Sequence, residues 1–136
     1  MGSEMCIRDR FTPKLTKNAS KYAEQFKTIT PTSSFKHIWR SYSIKKDLEK
    51  EQVNLYHGLS SEIPFWLKKI KTVVTIHDLI FKTLPHTYPQ IDRWLYEEKT
   101  RYASHYAEKI ITISEYSKQD IIKSVSYTHL TLPTKA

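Results

Sequence analysis

Cysteine is all but missing from this chain: in 136 residues there is one, Cys6, and it lies in a terminal stretch that is set aside below. Residues 10–124 therefore hold no thiol, which excludes disulfides, thiol nucleophiles and cysteine-ligated zinc from that stretch. Glycine is nearly as scarce, with Gly2 and Gly58 alone. A single internal glycine cannot build a phosphate-cradling loop, so a nucleotide site would have to come mainly from other sequence. No apolar run approaches the ~20 residues of a membrane span. His37, His86 and His105 have no ligand spacing with one another, and no metal is expected. What the chain does have is positive charge, formally +8 at pH 7. Such a balance favours anionic partners, whether nucleotide phosphates, nucleic acid or an acidic membrane surface. Because the basic residues are scattered among acidic ones rather than drawn into a stripe, a solvated surface is the expected reading and nucleic acid is not an expected partner.

The two ends carry an internal relation of their own. Written as GAG ATG TGT ATA AGA GAC, the codons of Glu4-Met5-Cys6-Ile7-Arg8-Asp9 have the opposite strand GTC TCT TAT ACA CAT CTC, which encodes Val125-Ser126-Tyr127-Thr128-His129-Leu130. Methionine has a single codon, so its complement has to be histidine. An inverted repeat of this kind is what a sequencing adapter leaves when it is joined to both ends of a genomic fragment and translated through. Residues 1–9 and 125–136 are accordingly expected to be adapter-encoded, and residues 10–124 to be a piece of a longer natural protein. Arg10 could belong to either. On this expectation a signal peptide upstream stays open, and the lack of cysteine suits a reducing cytoplasm.

After a polar stretch with Pro13 and Pro31, Ser33 or Ser34 can cap a helix running to about Lys50, with Phe35, Ile38, Trp39, Tyr42 and Leu48 recurring at three- and four-residue steps. Val53 to Tyr56 reads as a short strand stopped at Gly58, and Thr72 to Ile76, β-branched almost throughout, as a strand buried on both faces of a parallel sheet. A loop with Pro85 and Pro89 leads to a second long helix, about Gln90 to Glu108, whose stripe is Ile91, Trp94, Leu95, Tyr102 and Tyr106. Ile110 to Ile113 is the next strand, and Ser114 caps a helix through Ile121 and Ile122. Strands alternating with helices of this length predict an α/β fold: a Rossmann-like, mostly parallel sheet with helices on both faces.

In open parallel sheets ligands bind at the carboxyl ends of the strands. Each strand here ends in polar, reactive types: His57-Gly58, His77-Asp78 and Ser114-Glu115. One such ending means little, since Ser114 is a good helix cap in its own right, but three on one edge point to a site. An imidazole there can bond a sugar hydroxyl or shuttle a proton near neutral pH, tuned by a neighbouring carboxylate. The bland account of His77-Asp78 is that Asp78 opens a turn and His77 packs below it. For Gly58 it is that the turn needs positive φ. Phe65, Trp66, Lys68 and Lys69 mix aromatics with lysines on a loop, either an anchor for a membrane surface or lipid-linked acceptor, or a half-buried loop with solvated lysines.

Those endings are also where the chain becomes recognisable. The segments from Tyr56 to Pro64, Thr72 to Phe81, Asp92 to Ala103 and Ile110 to Ile121 resemble, in order, the N-terminal domain of family 4 (group 1) glycosyltransferases, and most closely its bacterial mannosyltransferase-like members. The resemblance implies a GT-B architecture, with two Rossmann-like domains facing across a cleft, and sugar transfer with retention of configuration from a nucleotide-sugar donor to a glycan or lipid-linked acceptor. It implies no metal or other cofactor. It places His77, with Asp78, at the reacting centre, His57, Gly58 and Glu62 on the acceptor side, and Ser114 and Glu115 at the cleft edge. The family's first strand and glycine-rich loop, and its donor-binding domain, have no counterpart in residues 10–124, so the fragment is expected to be inactive alone. The expected location is cytoplasmic, with peripheral contact at the inner membrane face. The competing expectation is a non-catalytic basic α/β module that binds nucleic acid or anionic membrane.

Overall fold

A computed structural model describes residues 10–12, 27–31 and 38–124. Its elements are β1 (Arg10–Phe11), β2 (Thr28–Ile29), a π-helical turn (Trp39–Ser43) that runs into α1 (Ile44–Lys50), β3 (Leu55–Gly58), β4 (Lys71–Ile76), α2 (Ile80–Thr83), a 3-10 turn (Pro85–Thr87), α3 (Gln90–Tyr106), β5 (Lys109–Thr112) and α4 (Glu115–Ser124). Strands β3, β4 and β5 form a parallel sheet in that order, while β1 and β2 pair as a separate parallel ribbon. The architecture is the expected one, an α/β domain whose parallel sheet is flanked by helices. The β1–β2 ribbon was not expected, since two-residue strands are too short for alternation to register. The stretches expected to be adapter-encoded, and the cap at Ser33 or Ser34 with Phe35, lie outside the described residues.

The first helix ends at Lys50 as its periodicity predicts, but its opening is widened. Ile44 N–H bonds the Trp39 carbonyl five residues back, and the Ser41 carbonyl accepts from Phe65 N–H at 2.8 Å instead of serving only its own helix. The widened turn alters which side chains face inward. Trp39 and Leu48 are buried as expected, with the Trp39 indole N–H donating to Asp47 Oδ2 at 2.7 Å, whereas Ile38 and Tyr42 are exposed.

The strand expected at Val53 begins two residues later, at Leu55. Residues 48–53 instead close α1 with paired bonds, Gln52 N–H to the Glu49 carbonyl and Val53 N–H to the Leu48 carbonyl, and Val53 packs against the cluster holding Leu48. That is a Schellman cap, whose penultimate position needs the left-handed conformation, and Gln52 supplies it at φ 53°. A side chain there costs about 1 kcal/mol. Gln52→Gly is thus expected to stabilise the chain by about that amount, read as a raised urea midpoint with an unchanged slope.

Register puts Tyr56, Gly58, Thr72, Val74, Ile76 and Ile110 on one face of the sheet, and all are buried or partly so. The opposite face is less covered: Leu55, His57, Lys71 and Lys109 are exposed, Val73 and Ile111 half-buried. The expectation of a β4 buried on both faces therefore holds for one face and only in part for the other. The core is two clusters, one around Val74, Ile76, Phe81, Ala103, Ile110 and Ile121, the other around Trp39, Ile44, Leu48 and Ile70, and Tyr56 packs against both.

Helix α3 turns a face inward that differs from the predicted one, with Tyr102 the member of the predicted stripe that packs against the core. Thr100, Ala103 and Ser104 are the side chains it buries, while Ile91 is 78% exposed, Trp94 62% and Tyr106 60%. Small side chains let the helix backbone lie close over β4, a gain that aromatic rings on the same face would forfeit. Periodicity reports that a stripe exists, and here two stripes compete.

Candidate active site

The carboxyl ends of the three parallel strands meet at one rim. The ladder pairs Gly58 with Val74 and Ile76 with Thr112. Beyond Gly58 the chain keeps alongside β4, with Ser61 N–H donating to the Thr75 carbonyl at 3.0 Å. His77 leaves β4 exposed, and its Nε2 lies 3.0 Å from the Leu59 carbonyl oxygen. From the other side the Ser117 hydroxyl of α4 donates to the His77 carbonyl at 2.9 Å. His77 is therefore tied to the β3 loop and to α4 together. His57 is exposed, with Nε2 at 2.7 Å from Thr75 Oγ1 on the less covered face.

Asp78 does open a turn, accepting from Ile80 N–H at 3.1 Å just before α2. The turn at Asp78 is therefore present, but His77 stays exposed rather than packed below it. Ser114 caps α4 as predicted, accepting from Ser117 N–H at 3.1 Å. Glu115 is exposed, and hydrogen bonds from Gln119 and then Lys118 hold its carboxyl below the usual carboxylate range.

Two residues depart from the expected picture. Gly58 has no positive φ, so turn geometry does not explain it. A Cβ there would stand 2.1 Å from the Glu62 carbonyl oxygen, and the glycine is needed because its own loop passes so close. Glu62 is turned from the rim toward α3 and the π-helical turn, where Lys99 bonds it at 2.8 Å and Arg40 lies at 3.5 Å. Leu59, Thr75, Ser117, Arg40 and Lys99 were not read from the sequence as site residues, Lys99 being read as a charge on the outer face of the second long helix. Ser117, three residues after the cap Ser114, carries a local signal; the partners of Glu62 lie too far along the chain to carry one.

Below the rim, burial pushes the Tyr56 phenol up to about 12, with Arg40 opposing the shift and Glu62 adding to it. The folded value lies above the unfolded one, so the stabilisation is complete below about pH 10 and is lost as pH rises toward 12. Stability is expected to fall across that window, and Tyr56→Phe to flatten the fall, in denaturant titrations at stepped pH.

Away from the rim, Tyr42, Phe65, Trp66, Tyr102 and Tyr106 form a connected aromatic array, with Phe65 and Tyr102 centroids 4.4 Å apart. The array borders a groove of about 860 Å³ that Trp94 and Leu95 also line. Trp66 is 59% exposed and sits at φ 60°, a strained conformation for so bulky a residue. Its backbone N–H donates to the Tyr102 hydroxyl at 2.8 Å. Lys68 and Lys69 are exposed beside it, so the loop does present aromatic and basic groups at the surface. Among the described residues, no helix is long and apolar enough to cross a membrane and no three His, Cys, Asp or Glu side chains are grouped as a metal would require.

Sequence comparison finds relatives of the chain. Over 74 residues, 54% of this chain, the sequence is 35% identical to the O-antigen chain mannosyltransferase B of Escherichia coli. Those residues span 19% of that protein's length. No solved structure matches the chain. The model of Glycosyltransferase Family 4 matches residues 11–130, a range that takes in the first part of the carboxyl-terminal stretch read above as adapter-encoded. With nearly its whole length matched, and three parallel strand ends brought to one rim, the chain belongs to Glycosyltransferase Family 4.

Proposed function

We propose that residues 10–124 form the acceptor-side wall of a GT-B enzyme that moves a sugar, with retention of configuration, from a nucleotide-sugar to a glycan or lipid-linked acceptor. The observation that carries this reading is the pinning of His77 between the Leu59 carbonyl and Ser117, at the rim where all three strands end. His77, with Asp78, meets the transferred sugar. His57 faces the acceptor, and Gly58 and Glu62 hold the loop that shapes that side, Glu62 through Lys99 and Arg40. Ser114 and Glu115 form the edge of the cleft. A second domain, outside this chain, supplies most of the donor contacts, and no metal takes part. The named relative makes mannose the first sugar to try. Phe65, Trp66, Lys68 and Lys69 give the enzyme a peripheral contact with an anionic membrane, at its cytoplasmic face, where aromatic rings and lysines suit the interface.

The competing reading, a basic module for nucleic acid, loses support from the ion pairs. Arg40, Lys45, Lys82, Lys99, Arg101 and Lys118 each face a carboxylate, so this part of the positive charge is interspersed with acid rather than gathered in a stripe. The test is a transfer assay on the full-length protein with a panel of nucleotide-sugars. Transfer from at least one donor is expected. No transfer from any donor, together with heparin retention that falls steeply with salt, would establish the binding module instead.

A further inference from the structure

We propose that Ser117 is a positioning residue for His77: it clamps the His77 main chain from the α4 side while the Leu59 carbonyl fixes the imidazole, so that Nδ1 is presented as an acceptor to a ligand hydroxyl. The inference rests on the sugar-transfer reading for the nature of that ligand, and on geometry for the rest.

A carbonyl oxygen can only accept, so the 3.0 Å contact between His77 Nε2 and the Leu59 oxygen makes Nε2 the protonated nitrogen. A neutral imidazole carries one N–H, and the lone pair is then on Nδ1. In that state Nδ1 accepts from a hydroxyl and offers nothing to an anionic oxygen, which matches the hydroxyls of a hexose better than a phosphate. The main chain is fixed just as definitely. Pairing between β4 and β5 stops at Ile76 and Thr112, so the next carbonyl, that of His77, has no partner in the ladder. Ser117, a residue 7% exposed, supplies the donor through its hydroxyl at 2.9 Å. Ser117 Oγ accepts in turn from Ser114 Oγ at 3.0 Å, and Ser117 N–H bonds Ser114 Oγ at 3.1 Å. The proton order Ser114, Ser117, His77 carbonyl is therefore fixed, and the cap of α4 and the placement of His77 become one hydrogen-bonded unit. Loss of one bond of this unit weakens the hold that keeps the ring in register with Leu59.

Imidazole nitrogen NMR on the 15N-labelled 136-residue chain tests this, at a pH about two units above the ordinary imidazole value, with His77 assigned by its loss in His77→Gln. The expected result is a single neutral tautomer protonated at Nε2. In Ser117→Ala the preference should fall about tenfold, as for one lost hydrogen bond, and Ser117→Thr, which keeps the hydroxyl, should restore it. A general loss of helix packing would not be rescued in that way. Ser114→Ala, at an exposed position, should shift the ratio in the same direction and is read even where Ser117→Ala does not fold. Protonation at Nδ1 or a mixture in the unmodified chain would overturn the proposal, and so would variants indistinguishable from it. These readouts need no sugar. If the ring is pinned but Nδ1 is unmoved by nucleotide-sugar in the full-length protein, the role of Ser117 stands and the transfer reading falls.

Discussion

Gly58→Ala is expected to cost about 3 kcal/mol or more, placing it beyond the usual range for one added methyl in a packed interior. The added carbon would lie 2.1 Å from the Glu62 carbonyl oxygen and 3.3 Å from Ile63 Cγ2. Backbone cannot yield as a flexible side chain can, and this loop is held at several points. Ser61 N–H bonds the Thr75 carbonyl, Glu62 is gripped by Lys99 and Arg40, and Ile63 and Pro64 are buried. Moving the loop breaks those contacts and carries Leu59, the partner of His77, away with it. Domains of this size are stable by only about 5–15 kcal/mol, so a loss of this order should lower the melting temperature by roughly 10 °C. The backbone angle at Gly58 is open to alanine, so steric collision is the whole of the expected cost. Melting within about 2 °C of the parent chain would show that the loop yields freely.

The second large effect is on rate. In the full-length protein, His77→Ala is expected to lower sugar transfer by about 10² to 10⁴, the span typical of a positioned catalytic side chain. Its ring is exposed and its one hydrogen bond is to a loop carbonyl, so stability should change little. The loss should therefore appear in the rate of correctly folded enzyme, with an unaltered urea midpoint as the control. Full transfer rates in His77→Ala would remove the residue from the reacting centre.

The sequence made the strand ends legible because β-branched runs and the polar pairs that follow them are local signals. The parallel order of β3, β4 and β5 and the capping by Ser114 follow from the same local chemistry. What escaped was decided by packing at a distance. The aromatic stripe of α3 has the period of a core face, yet the smaller Thr100, Ala103 and Ser104 took that place. The start of β3 moved because Val53 closes a Schellman cap, which Gln52 makes without the glycine that usually marks one. The pairing of Glu62 with Lys99 and Arg40 depends on how α3 and the π-helical turn approach the loop, and no local pattern announces it.

The central claim is that three strand ends make one wall of a sugar-transfer site, with His77 at its centre. The most direct measurement is a structure of the full-length protein with an unreactive nucleotide-sugar bound. The prediction is a sugar hydroxyl at about 2.7–3.2 Å from His77 Nδ1, with Asp78, Ser114 and Glu115 around the same sugar. A sugar bound instead along the aromatic groove of Tyr42, Phe65 and Tyr102, or out of reach of all three strand ends, would contradict it.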